Sequence, residues 1–113
     1  MLNSCELIGK IVKMPYVVTD VKKVDHVLFD LELERPFRNS EGEYETDVVA
    51  VEFWNGEADR LIEKSELGDY VAIRGRISTI KEKGEEDGRL VLVVMAETVS
   101  YLTLRICSKK KQK

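Results

Sequence analysis

The clearest periodicity in the chain lies between Phe29 and Glu34, where Phe29, Leu31 and Leu33 alternate with Asp30, Glu32 and Glu34. Successive side chains of an extended strand point to opposite faces, so this stretch predicts a strand with one apolar face and one carboxylate face. Glu6 to Lys13 predicts a first strand closed by Pro15, with Gly9 where a bulge or sharp bend is tolerated. Arg35-Pro36-Phe37 ends or redirects the second strand, because Pro36 has no N–H for a ladder. After the polar turn Arg38 to Glu43, a third strand from Thr46 to Trp54 sets Val49, Val51 and Phe53 against Val48, Ala50, Glu52 and Trp54. The fourth, Tyr70 to Ser78, sets Val71, Ile73, Gly75 and Ile77 against Tyr70, Ala72, Arg74, Arg76 and Ser78. The fifth runs from Leu90 to about Leu102 and is apolar enough at its start to be expected covered on both faces. Helical spacing occurs once: Asn55 caps a short helix that carries Ala58, Leu61 and Ile62 on one side and closes at Leu67-Gly68. A charged hairpin, Lys81 to Arg89, takes its turn geometry from Gly84 and Gly88.

Five strands with one short helix between the third and the fourth is the order of an OB-fold, a small all-β Greek-key barrel; Ig-like and SH3-like barrels share several short strands but not the helix position. At 113 residues, 43% of them hydrophobic, the chain holds one core and no run near the length of a membrane span. The expected organisation is a single OB domain over residues 1–102 followed by a short basic flexible tail, 103–113. Met1 to Glu6 shows no secretory pattern, and a cytoplasmic location, nucleoid-associated if DNA is the partner, is the expectation. Cys5 and Cys107 are read as free thiols.

The net charge of −3 conceals a split: residues 1–102 hold 13 basic and 21 acidic residues, a balance of −8, while 103–113 carry +5. A polyanion-binding surface must therefore be built within an acidic body. Catalytic and metal signals are missing. His26, the one histidine, reads as a surface loop residue beside Asp25, and there is no Cys-x-x-Cys, metal-ligand spacing, phosphate-cradling glycine loop or G-x-S-x-G elbow. The expectation is a protein that is not an enzyme and uses no cofactor or metal.

Several pieces, in order, give the chain a family resemblance. Met1-Leu2-Asn3 with Leu7 and Gly9-Lys10, Phe29-x-Leu31, Arg35-Pro36-Phe37, Gly42-Glu43 with Glu45 and Asp47, then Trp54, Ala58, Gly68, Val71, Gly75-Arg76, Gly88-Arg89 and Ala96-Glu97-x-Val99-x-Tyr101-Leu102 resemble the bacterial and phage single-stranded DNA-binding protein family over nearly all of residues 1–102. The resemblance implies sequence-tolerant binding and protection of single-stranded DNA in replication, recombination or repair. It also implies a homotetramer built as a dimer of dimers through paired first strands, and contacts with replication or repair proteins.

Such binding needs aromatic rings for bases and cations for the backbone. Phe37 and Trp54 occupy positions where the family stacks bases. OB barrels bind oligonucleotides on the face of strands two and three and on the loops between strands one and two and strands four and five. The candidate cations are then Lys22 and Lys23, Arg38, Arg74 and Arg76, and Lys81, Lys83 and Arg89. Phe37 shares parity with the core residues Phe29, Leu31 and Leu33, so the reading requires a register change at Pro36 to turn it outward.

Three features depart from the family pattern. Val48 and Glu82 fall where further stacking aromatics are usual, Asp30, Glu32, Glu34 and Glu52 would repel phosphate if their side forms the groove, and the end of the chain is Lys-rich instead of acidic and Phe-terminated. They support an alternative expectation: an OB-fold protein-interaction module, a primosome-like accessory factor with weak nucleic-acid binding.

Overall fold

The structure is a computed structural model that describes residues 1–53, 55–81 and 89–102, residues 55–58 by backbone alone. The elements are β1 (Cys5–Thr19), β2 (Asp25–Arg38), β3 (Tyr44–Phe53), α1 (Asn55–Lys64), β4 (Tyr70–Lys81) and β5 (Leu90–Tyr101). The strands close into a barrel in the order β1-β2-β3-β5-β4, antiparallel throughout except for β3 with β5. This is an OB-fold, with its helix between β3 and β4.

β1 closes the barrel by serving two partners in turn: Cys5 to Lys10 pair with β4, and Lys10 to Thr19 pair with β2. Gly9 stands at the hand-over. A Cβ there would lie 2.5 Å from the Glu32 carbonyl oxygen and 2.8 Å from Leu33 Cδ2, so the need is for close strand approach, not for a bend. The irregularities come later, between Ile11 and Lys13 and between Lys13 and Tyr16. They let β1 continue through Pro15, which was expected to end it, because bulged residues owe no ladder bond.

Alternation on β2 and β3 delivers Phe29, Leu31, Val51 and Phe53 to the barrel interior, where they meet Ile11, Val71, Ile73, Val94, Ala96 and, from α1, Leu61. Phe29 and Phe53 pack edge to face with ring centroids 5.5 Å apart. A second cluster, Leu28, Ile80 and Val93 with Tyr16, Val18, Ala50 and Val91 against it, has the opposite parity and lies on the outer side of the sheet.

The predicted patterns err where strands outrun the barrel. Ile77 is 47% exposed while Ile80 is buried. β1 begins at Cys5 opposite Gly75, so beyond that point β4 keeps β5 on one edge and has no strand on the other. Asn3 takes that place with its side chain, accepting from Ile77 N and donating to Ile77 O, both at 2.9 Å. Leu90 and Leu92 pair with Lys81 and Thr79 on the same extension and are exposed, so β5 is covered on both faces only from Val93 and Val94. On α1, Leu61 is buried but Ile62 is exposed. No described helix is long and apolar enough to cross a membrane.

Candidate nucleic-acid interface

β2 and β3 extend beyond the barrel as a two-stranded ribbon. Its turn is built on Asn39, whose Oδ1 accepts from the N–H groups of Glu41 and Glu43 at 2.9 Å, while Gly42 takes the left-handed φ of 83°. Arg35 braces the ribbon across the strands: Nε and Nη2 donate to the two carboxylate oxygens of Asp47 at 3.1 and 2.9 Å, and Nη1 donates to Glu45 at 2.9 Å. Those hydrogen bonds hold the Asp47 carboxyl below its ordinary range. Arg35 is thus committed internally, whereas Phe37 is 63% exposed.

The sequence reading asked for a register change to turn Phe37 outward, and the ribbon exposes it differently. Between Glu34 and Arg38 β2 advances four residues while β3 moves two, from Thr46 to Tyr44. An even surplus leaves parity unchanged, so Phe37 is exposed because the ribbon has left the core behind. Arg38 pairs directly with Tyr44, and its guanidinium lies over the Tyr44 ring at 5.0 Å from the centroid.

The β1–β2 turn is organised by Asp20. Its Oδ1 accepts from the N–H groups of Lys22 and Val24 at 2.9 Å, and Lys23 adopts a left-handed φ of 64°. Val21 N donates to Lys81 O at 3.1 Å, which ties this turn to the end of β4. Lys22 and Lys81, far apart in sequence, therefore line one cavity of about 310 Å³ together with Asp20 and His26.

His26 is not in a loop; it is the second residue of β2, with its side chain largely buried. Nδ1 meets Glu52 Oε2 at 2.5 Å and Nε2 meets Asp20 Oδ2 at 2.9 Å. Burial opposes protonation of the ring, but the hydrogen bonds and charges of the two carboxylates outweigh it and raise its pKa above the ordinary histidine value. The same hydrogen bond, first among several, lowers the pKa of Asp20. The carboxylates lie on opposite edges of the ring, a bridge and not a ligand set, and among the described residues no cluster could hold a metal.

The acidic face of β2 is quenched in the same manner. Tyr16 OH donates to Asp30 Oδ1 at 2.5 Å, and burial first, then Asp30, pushes the phenol pKa up. Glu32 sits 3.6 Å from Lys10 Nζ and accepts from Thr46 Oγ1 at 3.1 Å. Glu52, expected outward-facing, is buried against His26. Only Glu34 of the four suspect carboxylates is exposed with no partner identified.

Of the predicted site residues, Phe37 and Arg38 stand on the ribbon, and Lys22, Lys23 and Lys81 gather where the β1–β2 turn meets the end of β4. Arg76 is exposed on β4 and Arg89 just before β5. Arg74 lines a different cavity, of about 570 Å³, with Glu6 and Ile8 on the β1–β4 wall. Trp54, Lys83 and the family position Glu82 lie outside the described residues, as does the basic segment 103–113. Tyr44 and the His26 bridge were missed: Tyr44 fell two residues before the predicted strand, and nothing local announces a histidine whose partners come from a turn and another strand.

By class the chain is an OB barrel, with aromatic and basic side chains exposed on its β2–β3 ribbon and basic ones on its β1–β2 turn. Residues 2–102 match the model of the Single-strand binding protein family, and the chain belongs to that family. It is 33% identical over 107 residues to a single-stranded DNA-binding protein of Halalkalibacterium halodurans, covering 93% of this chain and 63% of that one. It is 30% identical over 106 residues to single-stranded DNA-binding protein 1 of Streptococcus pyogenes, covering 93% of this chain and 82% of that one. The chain thus spans under two thirds of the length of several curated relatives it matches. Among solved structures, a Plasmodium falciparum SSB complex with ssDNA superposes with a TM-score of 0.66 at 19% identity, over 91% of this chain and 96% of that one. A small single-stranded DNA-binding protein from Streptomyces coelicolor gives 0.64 at 18% identity, over 93% and 97%.

Proposed function

We propose that this protein binds single-stranded DNA without reading its sequence, and that it protects DNA exposed in replication, recombination or repair. The observation that carries the reading is the division of charge on the β2–β3 side. Asp30, Glu32 and Glu52 are each held by a partner, while Phe37, Arg38, Lys22, Lys23 and Lys81 are left exposed on the ribbon and the adjoining turn. Stacking on Phe37 and on Trp54 and phosphate contacts from these cations, with Arg74, Arg76, Lys83 and Arg89 as further candidates, supply the attraction. Among the described residues this surface presents an aromatic ring and cations, and the activity proposed for it is binding, at the nucleoid in the cytoplasm.

A homotetramer formed as a dimer of dimers is part of the same reading. Ile8 is 66% exposed in the β4-paired segment of β1 and lines two cavities, of about 570 and 440 Å³, one on each side of the strand. A second β1 laid there would cover apolar surface that a monomer leaves wet. Replication and repair proteins are the further partners expected. The alternative of a protein-interaction module rested on the acidic body, the missing aromatics at Val48 and Glu82 and the Lys-rich end, and the engagement of the carboxylates weakens the first of these grounds.

Titration with oligo-dT, followed by Trp54 fluorescence at low and high salt, tests the reading. Saturable quenching that weakens with salt is expected; no response at low salt overturns it. Sedimentation tests the assembly, a monomer at micromolar concentration being the result against it.

A further inference from the structure

We infer that Tyr44, backed by Arg38, is a base-stacking platform that stands in for the aromatic missing at Val48. The inference rests on the single-stranded DNA reading and names a residue for it. Tyr44 and Val48 lie on one face of β3, four residues or about 13 Å apart, and both are exposed, by 46% and 56%. Their cross-strand partners are Arg38 and Glu32, so this is the outer face of the sheet, continuous with Ala50 above the outer apolar cluster. Phe37 alternates to the other side of the ribbon, which leaves Tyr44 as the ring on this one.

The local geometry suits a base better than it suits structure alone. One face of the Tyr44 ring is covered by the Arg38 guanidinium at 5.0 Å, and half of the side chain remains open to solvent. Arg38 is steadied by donation from Nη1 to Gly42 O at 3.3 Å, so ring and guanidinium are held as a stack before any ligand arrives. A base laid on the free face makes a three-layer stack, and the remaining guanidinium N–H groups stay available to the neighbouring phosphate. Ribbon rigidity comes from Arg35 and from the Asn39 turn, neither of which needs Tyr44. An exposed Tyr on a ribbon already braced in this way has little stabilising work left to do.

The test compares the full-length wild type with Tyr44→Ala and Tyr44→Phe, by anisotropy of a fluorescein-labelled oligo-dT and of the same oligomer with abasic sites, at one fixed salt concentration. Loss of one stacked base weakens dT binding by about 5- to 150-fold in Tyr44→Ala, whereas Tyr44→Phe stays within about threefold of wild type. On the abasic oligomer, wild type and Tyr44→Ala converge. Equal affinity of wild type and Tyr44→Ala for dT overturns the inference. So does an equal loss on both oligomers, which reports a bent or loosened ribbon, or a loss in Tyr44→Phe as large as in Tyr44→Ala, which reports the hydroxyl. A wild type that does not bind dT even at low salt overturns the DNA reading itself, and this inference with it.

Discussion

Replacing Lys22 and Lys23 together by alanine separates the basic turn from every other source of attraction, including the Lys-rich segment 103–113. Both side chains are exposed on a turn fixed by Asp20, and neither contributes a side chain to its hydrogen bonds, which run through backbone N–H groups. The fold should therefore be unaffected, and surface substitutions of this kind fall within about 0.5 kcal/mol. Binding is another matter. Each phosphate neutralised on a single strand releases counterions worth a slope of about −0.7 in log K against log salt. Lys22, Lys23, Arg38 and Lys81 alone predict a slope of about −3 and an affinity loss of about 50-fold between 50 and 200 mM salt. Without the two lysines the slope becomes shallower by about 1.4, whatever the remaining cations contribute, and the salt-induced loss falls about sevenfold. The assay is the oligo-dT titration at four or five salt concentrations for both proteins, with thermal melts as the control. A slope difference below about 0.5 would refute the placement of this turn on the DNA path, even if the double variant bound more weakly at a single salt concentration.

Two further outcomes follow from the barrel itself. Gly9→Ala drives a methyl group onto the Glu32 carbonyl and the Leu31 and Leu33 side chains, and the carbonyl belongs to a paired strand that cannot step aside. A destabilisation of about 1–3 kcal/mol is expected, seen as a melting temperature lowered by roughly 4–15 °C; an unchanged melt would show that β1 and β2 are free to separate at the hand-over. The His26 bridge gives a pH dependence of defined sign. Its folded-state pKa is raised, so its stabilisation is complete below the ordinary histidine value near 6.5 and is lost as pH climbs through the higher folded value. Asp20, with its pKa lowered, adds stability that disappears only in acid, as pH falls through that lowered value. The melting-temperature gap between wild type and His26→Gln should accordingly shrink from pH 6 to pH 9, and a gap constant across that range would dismiss the charged bridge.

What the sequence made legible, and what it hid, divides along a physical line. Strand order, the helix between β3 and β4, and the inward set Phe29, Leu31, Val51, Phe53, Val71 and Ile73 were readable because alternation is a local property wherever one face of a sheet is buried. Alternation stops being informative where a strand leaves the barrel. Ile77 keeps the parity of Ile73 yet stands in solvent because β1 has ended; Phe37 keeps the parity of Leu33 and is exposed for the same reason on the ribbon. Length of pairing is set by the partner strand, so it was invisible in either segment alone. The site shows the same limit more sharply. Counting residue types gave an acidic face that would repel phosphate if it formed the groove, but charge acts through what each group touches, and Asp30, Glu32 and Glu52 touch Tyr16, Lys10 with Thr46, and His26. Those partners lie between 14 and 26 residues away in sequence, each brought up by the pairing of β2 with β1 or with β3. The family pattern could locate Phe37 because its position was known in advance, whereas Tyr44 became visible only when the register put Arg38 across from it. In a barrel this small, the binding face depends on which charges the fold uses up internally, and the aromatic-and-cation surface that remains is a consequence of strand pairing as much as of composition.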